Sequence, residues 1–273
     1  MGSVTVRLLP LLAAAIAIAG SSPAFAQDRP YCPERPGIDT PACTMAKGRV
    51  SVETSIADWT RDDQSGARDD NVLVGDTLVR VGVSDTIEAR LGFTPFGHDR
   101  TRDAARDGAA VESANRVGDV SLGMKANLRD PDGSGLAIAV LPFVSLPVGR
   151  RPIGDGDWGG GMLLPVTYEI SDSVSVDLTP EVDAAVDDDG HGRHVAFSSA
   201  AGLAFKLGKS LTAMGEVQAL RDDDPGGATT QAVAAASLAW LATDDLQFDL
   251  FGAVGLTHDT PDARLYAGIA RRF

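Results

Sequence analysis

The sequence predicts an all-β protein: an up-and-down antiparallel transmembrane β-barrel of about twelve strands. Three observations carry this expectation. Apolar and polar residues alternate along many segments, the segments between turn-forming clusters come to an even number, and the links between them alternate between short and long. Period two gives a strand two different faces, and an outer-membrane barrel joins such strands by short turns at one rim and longer loops at the other. A soluble β-sandwich with Greek-key links has no reason to sort its connections this way.

The chain carries 24 Lys and Arg against 38 Asp and Glu, a formal charge of −14. That excludes nucleic acid as a partner bound by counterion release. An apolar fraction of 44% is too high for a disordered chain, and a mean hydropathy of −0.01 is too low for a bundle of membrane helices. Arg7, the apolar run Leu8 to Ala19 and the triplet Ala24-Phe25-Ala26 mark residues 1–26 as a secretory signal peptide cleaved after Ala26. The apolar run is shorter than the ~20 residues a spanning helix needs. Residues 27–47 are expected to form an N-terminal periplasmic segment holding both cysteines, Cys32 and Cys43, among Pro33, Pro36 and Pro41. In an oxidising compartment this spacing favours a disulfide. No histidine or second cysteine pair lies near enough to suggest zinc instead. The segment either hangs free or enters the lumen as a plug.

The barrel is expected over 48–273, with strands at 48–58, 72–83, 86–95, 117–128, 135–146, 158–170, 174–186, 194–207, 210–221, 229–241, 245–257 and 263–273. In the third of these, Ile87-Glu88-Ala89-Arg90-Leu91-Gly92-Phe93-Thr94, every odd position is apolar and every even one is charged, small or polar. The same alternation runs through Val174-Ser175-Val176-Asp177-Leu178-Thr179 and Leu246-Gln247-Phe248-Asp249-Leu250. A helical period would put these acids on the apolar stripe. Tight turns of the Gly/Asp/Ser kind fall at Ser84-Asp85, 129–134, 171–173, Gly208-Lys209 and 242–244. Longer polar links are expected around 59–71, 96–116, 147–157, 187–193, 222–228 and 258–262. The chain ends on Phe273, a terminal aromatic residue of the kind the barrel-insertion machinery reads. Arg271 shares the Phe273 face and is tolerable there only if its long cation snorkels to the interface.

Four motifs carry a family resemblance: Arg80-Val81-Gly82-Val83-Ser84-Asp85, Gly118-Asp119-Val120-Ser121-Leu122-Gly123-Met124-Lys125, Leu146-Pro147-Val148-Gly149 and Glu169-Ile170-Ser171-Asp172. In this order they resemble the family called putative MetA-pathway of phenol degradation, over roughly 48–273. The resemblance implies a transporter-like outer-membrane barrel. The family's name points to aromatic or hydrophobic cargo, no catalytic residues come with it, and the cysteine segment lies outside the recognised pattern.

With the apolar face on lipid, the opposite face lines the lumen with Glu53, Asp76, Arg80, Glu88, Arg90, Asp119, Lys125, Glu169, Asp177, Glu181, Asp183, Glu216 and Asp249. Ten acids against three bases describe either a channel preferring cations or a lumen closed by its own ion pairs, and strand number alone does not decide. Lumen changes such as Glu88 or Asp177 to Ala are expected to spare assembly. The loop Asp187-Asp188-Asp189-Gly190-His191-Gly192-Arg193-His194 has metal-ligand chemistry, but a solvated acidic loop is the favoured reading, as for Asp222-Asp223-Asp224 and Arg61-Asp62-Asp63. An outer-membrane hydrolase would need a serine, a histidine and an acid together. Yet His98, His191, His194 and His258 all fall in or beside the long links, and none accompanies a nucleophile motif. The expectation is therefore a non-enzymatic barrel in the outer membrane of a Gram-negative bacterium, passing small solutes passively without cofactor or metal. Its partners would be lipid, the insertion machinery and the solute. A closed barrel with a structural or loop-mediated role is the alternative.

Overall fold

The computed structural model describes residues 29–64, 66–103 and 110–273. The signal-peptide reading of residues 1–26 lies outside them. Sixteen strand segments follow: β1 Val50–Gln64, β2 Ala67–Val74, β3 Thr77–Gly82, β4 Ile87–Phe93, β5 Phe96–Asp103, β6 Ala110–Arg116, β7 Val120–Arg129, β8 Leu136–Leu146, β9 Gly159–Leu163, β10 Val166–Ser171, β11 Val174–Val186, β12 Arg193–Lys206, β13 Leu211–Asp222, β14 Thr229–Thr243, β15 Leu246–Gly255 and β16 Ala263–Arg272. Four consecutive pairs are halves of one crossing strand, since β1 pairs with β3 along its first half and β2 along its second, and β8 likewise pairs with β10 and β9. The same holds for β4 with β5 and β6 with β7, which leaves 16 − 4 = 12 crossing strands.

The breaks have local causes. Pro95 and Pro165 have no N–H to give the ladder, and Gly75 adopts a positive φ of 73° beside a bulge in β1 between Ser55 and Ala57. All neighbours are antiparallel, and β16 pairs with β1 from Ser51↔Arg272 to Arg61↔Ala263. That closure leaves the crossing strands without an edge, while β6, which rises beyond them, pairs with β5 alone among the described strands.

The two longest expected links are corrected. Residues 59–64 and 67–71 continue β1 and β2 in unbroken register to Gln64↔Ala67, and β5 and β6 pair from Gly97↔Arg116 to Asp103↔Ala110. These are strands rising beyond the others. The remaining long links stand at this same rim, and the links at 83–86, 130–135, 172–173, 207–210 and 244–245 form the short-turn rim.

Burial is inverted relative to a soluble protein. Arg80, Glu88 and Lys125 are fully buried, while Leu250 is 60% exposed and Leu91, Met124, Leu178, Val217, Leu238 and Leu265 are all exposed on the outside. Charged groups inside and an apolar belt outside are what lipid demands of a barrel. Of the exposed aromatic side chains among the described residues, Tyr168, Phe205, Trp240, Phe248 and Phe273 lie near the short-turn rim, and Phe96, Trp158 and Phe197 lie farther from it. The first five form one interfacial girdle. Arg271 lies over the Phe273 ring at 5.0 Å, at the strand end where a cation reaches water.

Candidate lumen and the segment that fills it

Segment 29–47 has no regular secondary structure, so its backbone N–H groups need partners from elsewhere. The wall side chains supply them. Glu53 Oε2 accepts from the Glu34 and Arg35 N–H groups at 2.8 and 3.2 Å, and Tyr266 Oη from Gly37 at 2.8 Å. Glu216 Oε1 accepts from Ile38 and Asp39 at 2.6 and 3.0 Å. Thr179 and Thr167 hydroxyls accept from Thr40 and Ala42 at 3.0 Å each, and Glu88 Oε2 from Met45 at 2.8 Å. The segment is thus a hairpin entering from the short-turn rim, with its tip near Gly37 to Thr40 and both limbs returning to that rim.

At the base, Thr44 N–H donates to the Pro131 carbonyl at 3.0 Å, Arg29 to the Asp85 carbonyl at 2.8 Å, and Arg272 to the Arg29 carbonyl at 2.6 Å. Ala42, Cys43, Met45 and Ala46 are buried between the limbs and the wall. The approach is closest at Gly82, where a Cβ would sit 2.0 Å from the Ala46 carbonyl oxygen. Cys32 and Cys43 form a disulfide that ties the two limbs, with Cα atoms 6.5 Å apart. Closing so short a loop contributes about 3 kcal/mol in the chain-entropy account. Thiol labelling of the unreduced, denatured mature protein is expected to find no free cysteine, and two labelled thiols would contradict the pairing.

Charge is arranged by side. Arg80 donates to Glu53 at 3.1 Å, to Glu88 at 2.9 Å and to the Cys32 carbonyl at 2.8 Å. Lys125 lies 3.7 Å from Glu88 and donates to the Pro41 and Cys43 carbonyls at 2.9 and 3.2 Å. Glu34 of the hairpin completes this cluster through Arg90, Lys125 and Arg80. Burial alone would raise the Glu34 carboxyl, but these three cations hold it well below the ordinary range. A second anchor lies on β15, where Arg35 pairs with Asp249 at 3.1 Å and stacks over the Tyr266 ring at 4.5 Å.

The opposite wall is acidic and unpaired: β13 stands half the circumference from β4. Among the described residues no Lys or Arg pairs with Asp177, Glu181, Asp183 or Glu216. Asp177 and Glu181 accept instead from Thr167 and Ser198. The hairpin's Asp39 sits among these acids, and burial, reinforced by Asp177 and Glu216, pushes it up to about 8.

Seven of the thirteen expected lumen residues, Glu53, Arg80, Glu88, Arg90, Lys125, Glu216 and Asp249, bond to the hairpin; Asp177, Glu181 and Asp183 stay on the unpaired wall, and three have other work. Asp76 accepts from the Thr94 hydroxyl at 2.7 Å, and Glu169 from the Gly135 N–H at 3.0 Å at a short turn. Asp119 holds the 147–158 link through the Gly149 and Asp155 N–H groups, both at 2.7 Å. Glu88→Ala would take one carboxylate from both Arg80 and Lys125, leaving Glu53 and Glu34 to the first and Glu34 to the second, so a cost in stability is expected where none was. Sequence reasoning missed Glu34, Arg35, Thr167, Thr179, Tyr266 and the Asp58–Arg264 pair at 2.6 Å. Of these, Thr179 had a signal, the alternation that also places Asp177 and Glu181, whereas Asp58 reaches the lumen only because the bulge between Ser55 and Ala57 reverses the faces of β1.

The fold joins two aspartate runs that the sequence treated separately. His194 has Asp187 at 2.9 Å, Asp222 at 2.6 Å and Asp224 at 3.4 Å. His98 pairs with Asn115 at 2.7 Å and His258 lies 3.6 Å from Asp259. Among the described residues none of the four histidines hydrogen-bonds a serine. Beyond the hairpin tip, described residues line two cavities. One of about 610 Å³ is lined by Phe143, Arg151, Asp155, Asp183 and Asp188, and the other, about 250 Å³, lies over Ile38.

A closed twelve-strand antiparallel barrel, apolar outside and charged within, is a porin-like outer-membrane β-barrel. NanC porin superposes with a TM-score of 0.51 at 9% identity, over 81% of this chain and 98% of that one. KdgM porin gives 0.51 at 10% identity, over 82% and 99%. Residues 33–273 match the family described as Putative MetA-pathway of phenol degradation, and the chain belongs to that family. The match begins at Pro33, so it takes in Cys43 and leaves out Cys32. No curated protein matches the chain.

Proposed function

We propose that the protein is a gated outer-membrane channel for passive passage of small solutes, closed at rest by hairpin 29–47. The observation that carries this reading is how the hairpin is held: by hydrogen bonds and ion pairs to the wall, with no strand pairing to it. Such contacts are individually exchangeable with water, so the hairpin leaves without dismantling the barrel. Lipid surrounds the apolar belt, Phe273 is offered to the insertion machinery, and the short-turn rim faces the periplasm.

Once the hairpin is displaced, Arg80 remains bound to Glu53 and Glu88 while Asp177, Glu181, Asp183 and Glu216 stay unpaired. Fixed carboxylates on low-dielectric walls concentrate cations and repel anions, and salt weakens that preference. In a barrel lacking residues 27–47, the triple change Asp177→Asn, Glu181→Gln and Asp183→Asn is expected to move the reversal potential in a salt gradient towards zero. An unchanged potential would show that this wall does not set selectivity. The family's description supports aromatic or hydrophobic compounds as a cargo class.

A further inference from the structure

The cluster around His194 is made by the barrel rather than by either aspartate run. β12 and β13 pair up to Ala196↔Asp222, which carries the 223–228 link alongside the 187–192 link and sets Asp222 and Asp224 against the histidine. The side chains of His194, Asp187 and Asp224 are only 6%, 16% and 5% exposed, so they are not the solvated charges that a run of aspartates suggests. They are also held in place. Asp224 accepts from the Asp188 and Gly226 N–H groups at 2.7 and 2.5 Å. Arg151 donates to the Asp187 and Asp188 carbonyls at 3.0 and 2.7 Å, and any Cβ at Gly192 would collide with the Asp187 carboxylate.

What these groups lack is a cation. Three carboxylates surround one imidazole, and among the described residues no Lys or Arg pairs with them. Even a protonated ring leaves 3 − 1 = 2 negative charges over, whereas buried charges are paired or coordinate metals. Asp187 Oδ1 and Asp224 Oδ2 converge on the same ring nitrogen, Nδ1, at 2.9 and 3.4 Å, where one proton can serve only one of them. The other nitrogen is orphaned. Nε2 is buried and makes no hydrogen bond, because Asp222 Oδ1, 2.6 Å away, stands off the ring N–H direction.

We infer that His194 Nδ1, Asp187 and Asp224 form a zinc-binding site at the long-loop mouth of the barrel. Their three donor atoms lie within 4.8 Å of one another. Zinc–nitrogen and zinc–oxygen bonds of about 2.0–2.2 Å put neighbouring tetrahedral ligands about 3.4 Å apart, close to the spacing around Nδ1. The ring nitrogen selects zinc over calcium or magnesium, which take oxygen ligands. An ion on Nδ1 leaves the ring proton on Nε2, and a small turn of Asp222 then gives that proton its acceptor, the carboxylate–imidazole–metal arrangement that orients a ligating histidine. Asp188 and Asp222 also line the cavity of about 610 Å³, which gives the ion a path from solvent. Bound there, it ties the 187–192 and 223–228 links together.

The test is calorimetric titration of zinc chloride into the full mature protein in detergent, free of any histidine tag and stripped beforehand with a chelator, with calcium chloride as the comparison. Folding of each variant is checked by its heat-dependent electrophoretic mobility. One zinc per chain is expected to bind saturably, undisturbed by an equal concentration of calcium. His194→Gln is expected to abolish this binding, and Asp222→Asn to weaken it about tenfold through the lost acceptor for Nε2–H. His191→Gln, in the same link, is expected to leave it unchanged. X-ray absorption at the zinc edge of the wild type needs no variant, and one imidazole among nitrogen and oxygen ligands is the expected result. No saturable zinc binding, equal binding by wild type and His194→Gln, or a zinc ion with no imidazole or with two would overturn the site and leave the cluster an ordinary ion pair.

Discussion

Arg80→Met is expected to produce the largest loss of stability of any single change in the lumen. Arg80 is fully buried and joins Glu53, Glu88 and the Cys32 carbonyl, with Glu34 at 3.7 Å. Methionine preserves much of the apolar stem but leaves three carboxylates facing one another with only Lys125 and Arg90 near. Breaking a buried pair by removing one partner costs about 3–5 kcal/mol, because the stranded charge has lost its water as well. The transition from folded to unfolded mobility in urea should move to lower denaturant, and protease should gain access to 29–47. Arg80→Met with Glu88→Gln should recover part of the loss, since it removes one stranded charge. A variant that unfolds with the wild-type midpoint would mean that the cluster is solvated rather than buried.

Leu178→Arg is expected to impair assembly strongly while Asp177→Asn, one residue away, does not. The two side chains point to opposite faces of β11: Leu178 is exposed on the apolar belt, and Asp177 is buried in the lumen where Thr167 donates to it. An arginine on the lipid face costs about 2–4 kcal/mol at the bilayer midplane. The amide, by contrast, still accepts the Thr167 hydrogen bond. Yield of heat-modifiable barrel in the outer-membrane fraction measures both. Equal yields would contradict the assignment of faces.

How much was legible in the sequence follows from the membrane itself. Within the lipid belt each strand must be apolar on one side, so β4 and β11 announce their faces residue by residue, and the expected and observed bounds of 174–186 coincide. Beyond the belt both faces meet water. Arg61, Asp62 and Asp63 pair in register with Asp70, Asp69 and Arg68, and Arg100 to Asp103 with Ser113 to Ala110, but no alternation remains to reveal it. The hairpin was legible only as a disulfide-bearing segment that hangs free or plugs the lumen, for a different reason. It has no period, and its partners are scattered along the chain, Arg35 finding Asp249 at a separation of 214 residues. The wall carboxylates could be placed in the lumen by alternation alone. That they serve as hydrogen-bond acceptors for a buried backbone required knowing what lay opposite them.

The most direct test of the closed lumen is single-channel recording, under identical conditions, of the mature protein and of the same protein without residues 27–47. The account predicts rare or unresolved openings for the intact chain and a steady, cation-preferring conductance at least about tenfold larger after deletion, as a twelve-stranded barrel emptied of its filling gains an aqueous path. Equal conductance from both proteins, or silence from both with the barrel shown to be folded, would contradict the claim that this hairpin is what closes the channel.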